Sequence, residues 1–301
     1  MPDYGRPLTF GYFLTPTADP AAVLAAAAQV EDLGLDLIGI QDHPYQRRFL
    51  DTFTLLAYLA ARTTRVRFFS DVASLPLRPP AMLAKAAASL DILSGGRFDL
   101  GLGAGAFWEA IAAMGGPART PAEAVAAVED AIAILRLAWS QERSIKHDGP
   151  VYSVKGMQPG PLPAHSISIW LGAYGPRMLS LLGRAADGWV PSLNYLRLDQ
   201  IPAQNARIDD AALAAGRDPA SIRRIVNLWG DLTNGPVTGL LQGPVSQWVE
   251  TLTLLAVEHG FDTFMLGGEP GATLARLAHE VVPAVRESVA HARAWASPSK
   301  P

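Results

Sequence analysis

Short apolar runs alternate along the chain with longer Ala- and Leu-rich stretches, and the change of period marks the elements. Leu8–Thr15 reads as a strand, and Asp19-Pro20 supplies an N-cap with proline at the first helical position for a helix over Ala21–Leu33, closed by Gly34. The pattern then predicts a strand over Leu35–Gln41, a helix over Asp51–Arg62, a strand over Val66–Val72 and, past the proline-rich Ala73–Pro80, a helix over Ala81–Leu93. Gly95-Gly96 stops that helix and feeds it into the short apolar strand Arg97–Leu102. A brief helix in Phe107–Gly116 follows, then a Thr120–Glu123 capping box before a long helix ending near Trp139. The order resumes with strands at Ser168–Gly172, Asp187–Leu193, Ser221–Leu232 and Phe261–Leu266, alternating with helices at Pro176–Arg184, Asp199–Ala215, Gly243–His259 and Gly271–Ala292.

Eight strands, each followed by a helix, imply an α/β fold of the closed (β/α)8 TIM-barrel type in preference to a doubly wound sheet, which carries fewer strands and a reversal point. One barrel would occupy residues 1–296, with Ser297–Pro301 as a frayed tail. Gln141–Ser166 breaks the repeat. It is polar and rich in Gly and Pro, with a hairpin expected around Asp148-Gly149, and it reads as an insertion, about 140–167, able to act as a lid.

Composition narrows the chemistry. Apolar residues make up 49% of the 301 and charged ones 18%, so the chain can bury a substantial core. A net charge of −3 gives no electrostatic reason to expect nucleic acid or an anionic membrane as partner. With no cysteine, disulfides and thiolate chemistry are excluded, and no clustered histidines suggest a metal site. The N-terminus lacks the features of a signal peptide, and the most apolar windows fall short of the roughly 20 residues that span a bilayer, so a cytoplasmic protein is expected.

In a barrel the strand C-termini carry the site. Asp42 and His43 end the second strand, and His43 is the only one of six histidines so placed, fit to donate a hydrogen bond or act in acid–base chemistry. Ser70, Asp71 and Val72 end the third strand, as ligand contacts or turn residues. Gly101–Ala106 resembles a dinucleotide fingerprint, but no acidic strand end follows at the required distance, and a tight-turn role competes. Gly172, Ala173, Tyr174, Gly175, Pro176 and Arg177 run from a strand through glycines into a helix, an arrangement whose free N–H groups suit an anion, with Arg177 able to add a bidentate contact or stay solvated. Trp108, Trp170, Trp189 and Trp229 lie near strand ends and suit either a pocket wall or ordinary core.

Taken together, LDILSGGRFDLGLGAG (Leu90–Gly105), QDHPYQ (Gln41–Gln46) and ISIWLGAYGPRMLSLLGRAADGWVPS (Ile167–Ser192) make the chain resemble the bacterial luciferase-like family of flavin- or deazaflavin-dependent oxidoreductases, over nearly its whole length. The resemblance implies a (β/α)8 barrel binding reduced FMN or coenzyme F420 at its C-terminal face. It also implies a phosphate loop at Gly172–Arg177 using the amides of Tyr174, Gly175 and Arg177, and a polar pair near the ring at Asp42 and His43. Gly103 and Gly105 would give the ring room. F420-using members carry a non-prolyl cis peptide and bulge in strand three; here its place is Asp71-Val72 or, failing that, Ser70-Asp71. Asp71 stands where those relatives have a small residue, and Pro44 follows the Asp-His pair, so the choice between FMN and F420 stays open. The expected activity is hydride transfer or O₂ activation on a small organic substrate, with Asp42 and His43 catalytic, no metal, and a homodimer in keeping with relatives. A non-catalytic ligand-binding barrel and a nicotinamide enzyme using Gly101–Ala106 are the alternatives.

Overall fold

The computed structural model describes residues 3–296, so the tail expected at Ser297–Pro301 lies outside the described residues. Eight parallel strands close on themselves: β1 Thr9–Leu14, β2 Leu37–Ile40, β3 Arg67–Ser70, β4 Phe98–Gly103, β5 Ile169–Gly172, β6 Gly188–Trp189, β7 Arg223–Leu228 and β8 Thr263–Leu266. Pairing runs β1 to β8 in chain order, β8 returns to β1, and β3 joins β4 directly, which makes the expected TIM barrel. A two-residue extension, Ala73–Ser74, continues β3 beyond a break at residues 71–72 and pairs with Leu102 and Gly103.

Because successive strand residues face opposite sides, each strand has an inner and an outer row. The outer row packs on the helices in one large cluster, whereas Leu37, Phe69, Trp170, Val190, Ile225 and Met265 form a smaller cluster inside the barrel. Glycines of the inner row give these side chains room: a Cβ on Gly39 would lie 2.5 Å from the Phe69 ring, and one on Gly188 2.6 Å from the Trp170 indole. Trp189 instead points outward, stacked on Phe261.

Local signals read from the chain hold. Asp19 caps the helix Pro20–Asp32 through the amides of Ala21 and Ala22, the Thr120–Glu123 capping box opens Pro121–Ala138, and Gly95 ends Pro80–Ser94 in the left-handed region. Lengths differ more. The sixth strand is two residues rather than seven, and Thr233–Leu241 forms a loop before Gln242–Gly243 pairs with Asp231–Leu232. Among the described residues no helix is long and apolar enough to cross a membrane.

The floor of the barrel, where the strands begin, is stitched by charges. Arg97 donates to the carbonyls of Ala60, Thr63, Val66 and Ser94, tying the end of Thr52–Ala60 to β3 and β4. Asp91, fully buried, accepts from the backbone and Nδ1 of His165 at 3.0 and 2.7 Å. Asp99 accepts from Arg67 at 2.8 Å and from the Ser168 amide at 3.0 Å.

The insertion does form a hairpin, Ile145–Asp148 with Ser153–Met157, packed against the outside of the barrel. It connects a helix to the following strand, and its tip reaches the segment after β3, where the Tyr152 hydroxyl donates to the Leu75 carbonyl at 3.2 Å. Asp130 of Pro121–Ala138 holds it from outside through His147 and the amides of Val151 and Tyr152, and none of Gln141–Ser166 lines the cavity at the strand C-termini.

Candidate active site

At the opposite end the inner rows open into a cavity of about 480 Å³, a volume within the range of small-molecule sites. Its walls are the continuations of the inner rows. Thr15 lies two residues beyond Phe13, Gln41 two beyond Gly39, Asp71 two beyond Phe69, Asn227 two beyond Ile225, and Trp229 follows Asn227 at the same period. The period of two thus predicts which residues meet here once the register is known.

Asp42 and His43 are both present, in different states. Asp42 is 2% exposed, and its carboxylate is taken up by Arg78 in a bidentate pair at 2.7 Å and by the Ser74 amide at 2.8 Å. Arg78 in turn reaches Asp51 at 2.6 Å. That leaves Asp42 no open oxygen for the proton transfer expected of it; it fixes the loop that follows β3. His43 is half-buried, with Nδ1 2.6 Å from the Tyr45 hydroxyl. Burial pushes the Tyr45 phenol up to about 12 and lowers the His43 pKa. The direction of this bond goes with the imidazole tautomer: where the phenol donates to Nδ1, a neutral imidazole carries its N–H at Nε2. Phe107, 64% exposed and at φ 55°, sets its ring edge-on to His43 at 5.9 Å.

The peptide Asp71-Val72 is cis, at the first of the two places the resemblance implied. Ser70 Oγ donates to the Gly101 carbonyl at 2.8 Å and is turned away from the cavity. Asn227 Nδ2 donates to Asp71 Oδ1 at 3.0 Å. Asp71 Oδ2 and Asn227 Oδ1 are both buried without a partner. Burial pushes the Asp71 carboxyl up to about 7, with the Asn227 bond pulling weakly the other way.

The glycines of β4 serve this bulge. A Cβ on Gly101 would lie 2.0 Å from the Ser70 carbonyl oxygen, one on Gly103 2.8 Å from Val72, and one on Gly172 3.1 Å from Val72. Gly105, at φ 109°, lies against Pro76 and Trp108. Gly103 and Gly105 therefore do not simply leave space for a ring: they admit the side chains that shape the wall. This packing, and a six-residue helix Trp108–Ala113 where a dinucleotide site needs a long one, speaks against the nicotinamide alternative.

Gly172–Arg177 divides. Gly172 and Tyr174 line the cavity, and the Tyr174 hydroxyl accepts from the Ser192 amide at 2.9 Å. Ala173 is buried, its carbonyl held by the Trp189 indole, and Gly175 caps the helix Pro176–Ala185. Pro176 and the exposed Arg177 side chain line a separate outer depression with Arg184 and Arg207, so the bidentate contact expected of Arg177 does not reach the cavity. Its backbone amide stays in the first turn of the helix, where N–H groups have no partner within the helix.

Sequence reasoning missed Phe13, Thr15, Gln41, Tyr45, Tyr195 and Asn227 as cavity residues. Asn227 carried a signal, a polar residue near the end of the apolar run Ile225–Leu228. Of the four tryptophans, only Trp229 lines the cavity.

Comparison with known proteins agrees with this geometry. The luciferase-like monooxygenase family model matches residues 8–229. An F420-dependent glucose-6-phosphate dehydrogenase of Kineococcus radiotolerans is 28% identical over 250 residues, covering 79% of this chain and 72% of the relative. A 5,10-methylenetetrahydromethanopterin reductase of Methanolobus tindarius is 31% identical over 219 residues, with 71% of this chain and 63% of the relative covered. Among solved structures, an F420-dependent secondary alcohol dehydrogenase bound to an F420-acetone adduct superposes with a TM-score of 0.82 at 16% identity, over 93% of this chain and 99% of the other. With a family model spanning β1 to β7 and the cavity built where a TIM barrel keeps its chemistry, the chain belongs to the luciferase-like monooxygenase family of oxidoreductase enzymes.

Proposed function

We propose that this protein binds a reduced ring cofactor, F420 or FMN, in the cavity at the strand C-termini and passes reducing equivalents to, or activates O₂ for, an uncharged organic substrate. The observation that carries the reading is the cavity wall itself: the Asp71-Val72 segment, admitted by Gly101, Gly103 and Gly172, lining one cavity with His43. The donor set suits a ring bearing carbonyls and nitrogens, since Gln41, His43 and Asn227 offer neutral hydrogen-bonding groups and the Asp71 and Asn227 oxygens lack partners. Such a cofactor, when bound, supplies the hydride or oxygen chemistry.

The chain does the rest. His43 presents Nε2–H as a positioned donor, and Tyr45 fixes its tautomer. Asp42 acts as a positioning residue through Arg78 and Ser74. The amides of Tyr174, Gly175 and Arg177, opening Pro176–Ala185, face an anionic tail with the positive end of the helix. Tyr195 lines the cavity and is largely exposed, and Phe107 packs edge-on against His43.

The substrate reading follows from the lining, which includes Phe13, Tyr45, Tyr174, Tyr195 and Trp229 and no Lys or Arg. A phosphorylated sugar would find no cation there, unlike what the name of the Kineococcus relative implies for that enzyme. Fluorescence titration with FMN and with F420, followed by O₂ consumption with each reduced form, tests the reading. Tight binding of one cofactor, abolished turnover in His43→Ala and acceptance of aromatic over phosphorylated substrates are expected. Binding of neither cofactor overturns it.

A further inference from the structure

Two carboxylates stand in the cavity wall, and their surroundings differ. Asp42 meets an arginine and an amide, whereas Asp71 meets one carboxamide hydrogen, and its Oδ2 has no donor. Its Oδ2 is so close to the inner row that a Cβ on Gly39 would come within 2.9 Å of it. No cation faces it from the elements around the cavity. The end of β2 contributes Asp42, already neutralised by Arg78, with His43 and Tyr45; the loops after β5 and β6 contribute Tyr174, Ser192 and Tyr195; β7 contributes Asn227. An ionised, unpartnered, buried oxygen costs far more than a hydroxyl in the same place.

Resting on the cofactor reading above, we propose that Asp71 is the proton-holding group of the cavity wall: a neutral carboxylic acid set behind the ring, so that a cofactor lying on the wall seals the carboxyl from water and loading draws one proton from solvent. Asn227 holds the other carboxyl oxygen through its Nδ2 at 3.0 Å. Burial, which raises this carboxyl to about 7, places the exchange within the physiological range. Burial lowers the His43 pKa, against the opposing pull of the Asp42 charge.

Calorimetric titration of the full-length protein with FMN and with F420, in phosphate and in Tris at about pH 7.5, reads the proton directly. Up to one proton taken up per cofactor is expected, together with a Kd roughly tenfold weaker at pH 8 than at pH 6, the ratio that a free-state pKa near 7 gives. Asp71→Asn, neutral at every pH, should bind with no proton uptake and no pH slope. A second measurement needs no variant to fold: carbon-13 titration of the aspartate carboxyls in the cofactor-free wild type should show one titrating near 7. No uptake, proton release, a slope that persists in Asp71→Asn, or carboxyls that all titrate in the ordinary range each overturn the proposal. If neither cofactor binds, the cofactor reading fails with the coupling, while the carbon-13 titration alone still decides whether the carboxyl holds its proton.

Discussion

The two ends of the barrel handle buried charge in opposite ways. At the floor Asp91, Asp99, Arg67 and His165 share a closed network in which each carboxylate has at least two donors. At the mouth Asp71 and Asn227 each keep an oxygen without a partner, and exposed aromatic rings surround them. Networks of the first kind hold a fold in one arrangement. Groups of the second kind cost stability and are retained where a ligand completes them. The contrast says which buried polar residues to assign to folding and which to chemistry, and it can be attacked from both ends.

The largest effect is expected at the floor. Asp91→Ala removes both acceptors of His165 and a long contact from the Phe98 amide, and a fully buried charge partner removed in this way costs about 3–5 kcal/mol. Urea unfolding should show that loss, while cofactor affinity of the folded fraction stays at the wild-type value. Reduced affinity with unchanged stability would break the division between the two ends.

The same stretch shows how far the chain could be read from sequence. Ser89–Phe107 set the barrel register, since a helix stopped by Gly95-Gly96 and fed into an apolar strand leaves little choice of fold. Its charged residues gave no comparable signal. Asp91 finds its partner 74 residues away, in the segment that broke the repeat, and no local pattern reports such a pairing. The glycines were visible but their purpose was not. They face Val72 and the Ser70 carbonyl, and only the bulge explains why a Cβ is refused there. Strand ends were legible as a group, which is why His43 and Asp71 were found. The inner row that adds Gln41, Tyr45 and Asn227 needed the strand register and the loop paths.

At the mouth, Asp71→Asn should stabilise the protein, and only in part of the pH range. The Asp71 carboxyl is raised in the folded state above its ordinary value of about 4, so the folded chain binds the extra proton between about pH 4 and pH 7 and wild-type stability falls as pH rises across that window. The variant lacks the slope. A gain of roughly 2–4 kcal/mol at pH 8, shrinking toward zero near pH 4.5, is expected from urea midpoints at the two values. A uniform gain would point to better packing and not to a relieved charge.

A smaller effect is expected from Gly103→Ala. Its new Cβ would meet Val72 at 2.8 Å, a side-chain contact that the bulge can relieve by moving a few tenths of an ångström. Stability should drop by about 1–2 kcal/mol, the range for an overpacked site. Cofactor affinity should fall more steeply than stability, because the wall that moves is the one facing the cavity. Equal losses in a floor-side control such as Ser94→Ala would remove the distinction.

The smallest effect returns to the floor and separates the two ends by the direction in which they titrate. Hydrogen bonding to Asp99, ahead of the opposing effect of burial, raises the His165 pKa, with the Asp99 and Asp91 charges adding to it. Burial alone would raise Asp99, but His165 and Arg67 outweigh it and bring its pKa below the usual value. His165 therefore contributes stability in full below its unfolded value of about 6.5 and loses it as pH rises through the higher folded value; Asp99 contributes above about pH 4 and loses it as pH falls through the lower one. His165 is 29% exposed at its side chain, so solvent screening holds its share to about 1 kcal/mol or less. Because the Asp71 slope overlaps this window, the measurement belongs in the Asp71→Asn background, comparing His165→Gln with its parent at about pH 6 and pH 8.5. The parent should lose its small increment between those values and the glutamine variant should not; a slope that survives in both would place the titrating group outside the floor network.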